Sequence, residues 1–213
     1  MIVGGVVPKQ VDHEQRRIEI VEATWRIIAR GGFAAATMRE IAAEAGFANG
    51  GLKHYFAGKD DLLVAAFQRT FFRINERAAQ ATGQMSGLSA IRALCMEMLP
   101  LDRERQVESR VTVAFWDRAA SNPVLMKVHA DSHAIWRAFF EQQLEVARAS
   151  REIREEVATS LVVDELLWLT TGLQVVPLLD AKTTSPINQV RIIDSVLDRI
   201  RSLDRRPVAA TLG

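Results

Sequence analysis

The 213-residue chain has one cysteine, one tyrosine, six prolines and a formal net charge of only +1. A single Cys95 excludes an internal disulfide framework. Its place between Leu94 and Met96 on a helical pattern suits a small buried apolar side chain, not a redox sensor, which needs an exposed and activated thiol. The near-zero charge excludes a basic chain that coats nucleic acid in bulk. Residues 1 to 60 repeat the balance: Lys9, Arg16, Arg17, Arg26, Arg30, Arg39, Lys53 and Lys59 stand against Asp12, Glu14, Glu19, Glu22, Glu40, Glu44 and Asp60. Any positive surface must therefore come from arrangement, with the acids turned away from it. There is no Gly-rich phosphate loop, nucleophile elbow or metal-ligand cluster, so the sequence does not read as an enzyme and implies no cofactor. The N-terminus lacks the long apolar core of a signal peptide. Residues 161–179 are apolar, but Asp164, Glu165 and Gln174 argue against a membrane span. A cytoplasmic protein is expected. No useful strand, repeat or low-complexity tract appears.

What is present is helical. Hydrophobic residues make up 48% of the chain, enough for a sizeable core. A loose arm over residues 1–12 is expected, then a helix over about 14–30 with an Ile18, Val21, Trp25, Ile28 stripe, stopped by Gly31-Gly32. Asp60 and Asp61 begin a long helix with an apolar face of Leu63, Phe67, Phe71 and Ile74. Further helices are predicted over about 88–99, 103–121, 123–149 and 154–180, the last bent or weakened by Gly172 and Pro177. Ser185 caps a final helix with Pro186 at its first position. That helix carries a stripe of Ile187, Val190, Ile193, Val196, Leu197 and Ile200. The fold class is all-α, with an N-terminal arm and short-helix domain over 1–59, a larger helical domain over 60–205 and a fraying tail over 206–213.

The segment TMREIAAEAGFANGGLKHYF, residues 37–56, carries most of the functional information. Thr37 and Glu40 have capping-box spacing. Met38, Ile41, Ala42 and Ala45 form an apolar face, and Gly46 stands where a left-handed residue would end the helix. Phe47 can anchor the turn. Leu52 and Phe56, four residues apart, share one buried face of a second short helix, which leaves Asn49, Gly50, Lys53 and His54 on other faces. Two adjacent glycines, Gly50 and Gly51, cost a helix about 1 kcal/mol each relative to alanine. Without side chains, however, they let the backbone come close to DNA. This is a helix-turn-helix pattern, which can set its second helix in the major groove. Similar helix pairs also occur in helical proteins that never touch DNA, so a helical ligand-binding or interaction protein with weak or lost DNA binding is the alternative.

These residues, with the Gly31-Gly32-Phe33 turn, His54-Tyr55-Phe56 and Gly58-Lys59-Asp60, resemble the TetR family of transcriptional regulators over about residues 14–67. Asn49-Gly50 with His54-Tyr55-Phe56 is similar to the BetI branch. Phe115-Trp116-Asp117-Arg118-Ala119 and Asn122-Pro123 extend that similarity more weakly. The resemblance implies three N-terminal helices that bind operator DNA. The remaining helices would bind a small-molecule effector, and the last two would form a homodimer. It also implies a repressor released by its effector. Two departures stand out: Ala48 where many members have Ser or Thr, and Lys53 where many have Tyr.

The DNA-binding set is Thr37, Arg39, Asn49, Gly50, Gly51, Lys53, His54, Tyr55 and Lys59. Lys53, Lys59, Thr37 and Tyr55 are candidates for phosphates, and Asn49, Lys53 and His54 for base edges. By resemblance, Arg39 and Lys59 also face DNA. In the C-terminal domain Trp116, Asp117, Trp136, Phe140, Glu165 and Trp168 are candidates for ligand binding, because aromatic faces with a carboxylate suit a quaternary ammonium of choline type. The bland alternative is a generic apolar pocket with a few polar groups. His129 and His133 share a helix face, but zinc would need further ligands.

Overall fold

A computed structural model describes residues 9–48, 50–182 and 184–202, and they form eight α-helices. These are α1 (Lys9–Ala35), α2 (Met38–Glu44), α3 (Lys59–Thr82), α4 (Gly87–Met98), α5 (Arg103–Ala119), α6 (Pro123–Ala149), α7 (Thr159–Leu179) and α8 (Pro186–Ile200). The only β pairing among the described residues is an isolated antiparallel bridge between Ile153 and Arg201. The expected tail over 206–213 and residues 1–8 of the expected arm lie outside the described residues, while Lys9 to Asp12 already belong to α1. The chain packs as two compact units. Of the described residues, one takes in those up to Thr70 with Arg110–Leu125; the other takes in Phe71–Ser109 and those from Met126 onward. Helices α3, α5 and α6 contribute residues to both.

In the first unit, α1 runs further than its glycines suggest, through a kink at Gly32 (φ 71°), the one non-helical residue inside it. The buried face of α1 is also rotated from the expected stripe. Ile20, Ala23 and Ile27 are buried beside Val21, Thr24 and Ile28, whereas Ile18 is 43% exposed. The apolar arc is wider than one i, i+3, i+7 row, and two adjacent rows fill it. The first turns of α3 belong to this core through Leu62, Leu63, Ala66 and Phe67. Phe67 stacks on Phe115 of α5, ring centroids 3.9 Å apart. The expected break at 59/60 coincides with the start of α3, while compact packing continues to Thr70.

The second unit is built around Ile91, Leu94 and Cys95 of α4 with Leu99 just past its end, Phe140 and Leu144 of α6, Val163, Leu166 and Leu167 of α7, and Ile193 and Leu197 of α8. Full burial of each large aliphatic chain contributes about 1.5–3 kcal/mol. Helix α7 is long and apolar enough to cross a bilayer, with a mean hydropathy of 1.4 over its best window. Its inner face lies instead in this protein core, where the buried Thr170 hydroxyl donates to Leu166 O at 2.8 Å. Pro177 sits inside α7, and the helix continues past it to Leu179. Helix α7 starts at Thr159, later than expected, because the preceding residues pair elsewhere: Arg154 N donates to Ile200 O at 3.1 Å. Ser185 caps α8 as predicted, accepting from Asn188 N at 3.3 Å.

Cys95 has no exposed surface, and burial pushes its thiol up to about 12. At pH 8 only on the order of one thiol in ten thousand would be ionised, and the thiolate is the reactive form. Iodoacetamide is expected to leave Cys95 unmodified in the native protein and to label it stoichiometrically in denaturant. Rapid native labelling, followed by mass spectrometry, would contradict this burial.

Candidate nucleic-acid interface and small-molecule cavity

Helix α2 begins with the capping box read from the sequence. Thr37 Oγ1 accepts from Glu40 N at 3.2 Å, and the Glu40 carboxylate accepts from the Thr37 hydroxyl at 2.7 Å. The Thr37 hydroxyl and then the Thr37 backbone N–H, both donating to it, hold the Glu40 carboxyl below the usual carboxylate range. The helix ends at a turn where Gly46 has φ 74°, and Phe47 N bonds back to Ala42 O at 2.8 Å. The second helix of the motif is not an α-helix but a single 3-10 turn, Gly51–His54. Gly50 stands at its N-cap with φ 91°, a left-handed conformation that costs any other L-residue about 1–2 kcal/mol. A Cβ on Gly51 would lie 3.4 Å from Phe47 Cδ1. That is ordinary contact, so Gly50 has a local backbone reason besides any approach to DNA, while packing does not demand a glycine at 51. Leu52 and Phe56 are buried as expected, which leaves Lys53 and His54 exposed.

Long-range contacts fix this turn. Arg17 Nη1 of α1 donates to Tyr55 O at 2.5 Å, and its guanidinium lies 4.3 Å from the centroid of the Phe56 ring. Tyr55 itself is half-buried, its ring stacked on His13 and edge-on to Phe47. Arg17 has no counterpart in the sequence reading. It acts 38 residues away from Tyr55, and no local spacing marks it.

The charge balance resolves by pairing. Glu44 accepts from Arg26 at 2.8 Å and from Arg30 at 2.6 Å, and both contacts hold its carboxyl low. Glu22 pairs with Arg69, Asp60 with Arg118, and Asp61 accepts from Ala57 N. Arg39 and Lys53 are exposed and make no ion pair among the described residues. Lys59 differs: Nζ donates to Phe33 O at 2.8 Å and sits 4.0 Å from the Phe33 ring centroid, so it braces the end of α1. The Thr37 hydroxyl is engaged in its cap. Asn49 lies outside the described residues.

The six ligand candidates fall in both units. Trp116 and Asp117 belong to the first unit and the other four to the second. Phe140 has no exposed surface and fills the core. Trp168 is 70% exposed on α7, and Glu165 pairs with Arg199 of α8. Trp136 lines a cavity of about 260 Å³ within the second unit. Helix α3 contributes Asn75, Ala78, Ala79 and Thr82 to it, α4 Leu94, and α6 Ile135, Trp136 and Phe139. Asn75, which the sequence reading missed, orients the indole: Trp136 Nε1 donates to Asn75 Oδ1 at 3.2 Å. Phe71 lies against the same ring at 4.9 Å. The His129 and His133 rings are 5.0 Å apart, and burial lowers both from the ordinary histidine value. Among the described residues no third ligand completes a metal site with them.

Residues 20–66 match the family model of bacterial regulatory proteins, tetR family, and residues 88–202 match that of the BetI-type transcriptional repressor, C-terminal. The HTH-type transcriptional regulator PksA of Bacillus subtilis is 38% identical over 110 residues, 51% of this chain and 54% of that protein. The HTH-type transcriptional regulator BetI 1 of Chromohalobacter salexigens is 30% identical over 124 residues, 57% of this chain and 61% of that protein. The chain thus spans little more than half the length of these two relatives. A regulator from Saccharomonospora viridis, crystallised in complex with choline, has the same fold, with a TM-score of 0.81 and 21% identity over 89% of this chain and 99% of that one. The matched families and these relatives are regulators of transcription, not enzymes.

Proposed function

We propose, because this chain belongs to the TetR family of bacterial regulatory proteins and carries a BetI-type C-terminal region, that it is a ligand-responsive DNA-binding repressor of the cytoplasm. One observation carries the reading. The capped α2, the left-handed Gly46 and the braced 3-10 turn present Lys53 and His54 outward, in a unit whose nearby acids are largely consumed by internal pairs. Arg39 and Lys53 are the phosphate-binding cations. His54 and Asn49 are the base readers, and the Gly50-Gly51 backbone lies close to the duplex. Thr37, Tyr55 and Lys59 mainly hold the motif in shape, with the DNA-binding domain over 1–59 and the effector domain over 60–205.

The protein acts as a homodimer through α7 and α8. The Ile193, Val196 and Leu197 part of the α8 stripe is spent inside the subunit. The support comes instead from apolar side chains left exposed: Leu161, Trp168, Val176 and Leu179 on α7, and Ile187 and Ile192 on α8. Two recognition turns in such a dimer read half-sites about one helical turn, roughly 34–36 Å, apart. An organic effector in the C-terminal unit, the class to which the choline of the Saccharomonospora regulator belongs, favours the dimer form that no longer fits this spacing. It does so only through unequal affinity for the two forms.

Selection of bound fragments from a genomic library tests the reading. An inverted repeat should be enriched, and a candidate effector should deplete it. Recovery of fragments without sequence preference at physiological salt would leave a ligand-binding protein without operator recognition.

A further inference from the structure

We propose, resting on the reading that the C-terminal unit receives an effector, that the cavity between α3, α4 and α6 takes an uncharged, mainly apolar molecule carrying one hydroxyl or carbonyl, and rejects organic cations. The walls are the Trp136 and Phe139 rings with Leu94, Ile135 and Ala78. No Asp or Glu lines the space. The carboxylate on α7 that could have served a cation, Glu165, is bound to Arg199. One side of the Trp136 indole also carries Phe71, which limits the aromatic surface a cation could use. An ammonium entering here would lose its water and gain only part of an aromatic cage, with no counter-charge.

The polar atoms in the wall are already largely committed. Thr82 Oγ1 donates to Ala78 O at 2.8 Å. Asn75 Nδ2 donates to Phe71 O at 2.7 Å, and its Oδ1 accepts from Trp136 at 3.2 Å. A primary amide has two N–H groups and two lone pairs, so Asn75 retains one of each for a ligand. With the Thr82 oxygen, which has donated its hydrogen but can still accept, that makes one small polar spot, matched by one hydroxyl or carbonyl. The volume sets the size. On the scale where a dry cavity of about 150 Å³ takes benzene, one of about 260 Å³ takes roughly ten non-hydrogen atoms. The exposed Ala79 and Ile135 flank the opening.

Choline and 3,3-dimethylbutan-1-ol form the decisive pair, because they share shape and hydroxyl and differ in the charge at one atom. Titration calorimetry on the full chain should show the neutral alcohol binding at least tenfold more tightly than choline, and 2-naphthol more tightly than either. Ala79→Trp, a change at an exposed position, should remove 2-naphthol binding while leaving the melting temperature unchanged. Choline equal to or tighter than its neutral isostere, no binding of either neutral compound, or 2-naphthol binding that survives Ala79→Trp would each overturn the proposal. Operator release, followed in parallel by fluorescence anisotropy, separates this from the broader reading. Tight neutral binding that leaves the DNA complex intact supports the ligand class and removes the effector role. Preferential choline binding that releases DNA keeps the effector role and removes the class.

Discussion

Replacement of Arg77 by methionine is expected to lower the melting transition of the C-terminal unit by roughly 6–12 °C, the counterpart of about 3 kcal/mol in a domain this size. Arg77 of α3 holds Glu108 of α5 with two parallel hydrogen bonds, Nη1–Oε1 at 2.9 Å and Nη2–Oε2 at 2.7 Å. The Glu108 side chain is only 3% exposed and that of Arg77 26%, so solvent screens this pair little. The bonds to Glu108, ahead of those to Glu97, raise the guanidinium pKa above its already high value and keep it charged. Removing Arg77 takes both short hydrogen bonds from a buried carboxylate and leaves Arg73 Nε, 3.6 Å away, among its remaining partners. Loss of one member of a buried pair is costly chiefly through the charge left behind.

Arg77→Met combined with Glu108→Leu should recover most of the lost stability, to within about 1 kcal/mol, because two apolar side chains of similar volume replace both charges. The rest of the network survives the exchange: Glu97 keeps Arg105 at 2.7 Å, and Arg73 keeps Glu104. Scanning calorimetry of the two variants decides the matter. A single variant that melts within 2 °C of the parent, or a double variant no more stable than the single, would show that desolvation does not dominate here.

The network also shows what the sequence could and could not disclose. Helix ends were legible wherever a local rule set them: the Thr37 and Ser185 caps, the left-handed Gly46 and the buried Leu52–Phe56 pair all depend on residues within four positions. The overall all-helical plan followed from the same periodicities. Contacts across tens of residues were not legible. Arg77 with Glu108, Arg17 with Tyr55 and Asn75 with Trp136 join separate helices, and no spacing rule connects them. Aromatic residues misled for a related reason. Helical spacing marks Trp168 and Phe140 alike as apolar, yet packing leaves one 70% exposed and gives the other no surface at all. The recognition element fell between these cases. The glycines announced a weak helix, and only the positive φ of Gly50 and the Arg17 brace explain why it shortens to one 3-10 turn.

Lys53→Ala is expected to weaken operator binding about 60-fold at 0.1 M salt. Each phosphate neutralised on B-DNA contributes about 0.9 to the slope of log K against log salt. A dimer loses two such contacts, one per subunit, so log K falls by roughly 1.8 at 0.1 M. The salt slope should shrink by the same amount, and adding Arg39→Ala should about double both losses. The fold should be untouched, since Lys53 is exposed and makes no ion pair among the described residues, and Arg39 is exposed in the same way. Gel-shift titrations at several salt concentrations, on the operator and on scrambled DNA, separate the possible roles. A uniform loss on both DNAs with a flatter slope assigns Lys53 to phosphate. A loss confined to the operator with an unchanged slope assigns it to a base edge, where one bidentate contact contributes about 1–3 kcal/mol of discrimination. Unchanged affinity on both DNAs would remove Lys53 from the interface. The outward face of the 3-10 turn would then have to bind DNA through His54 and the glycine backbone alone.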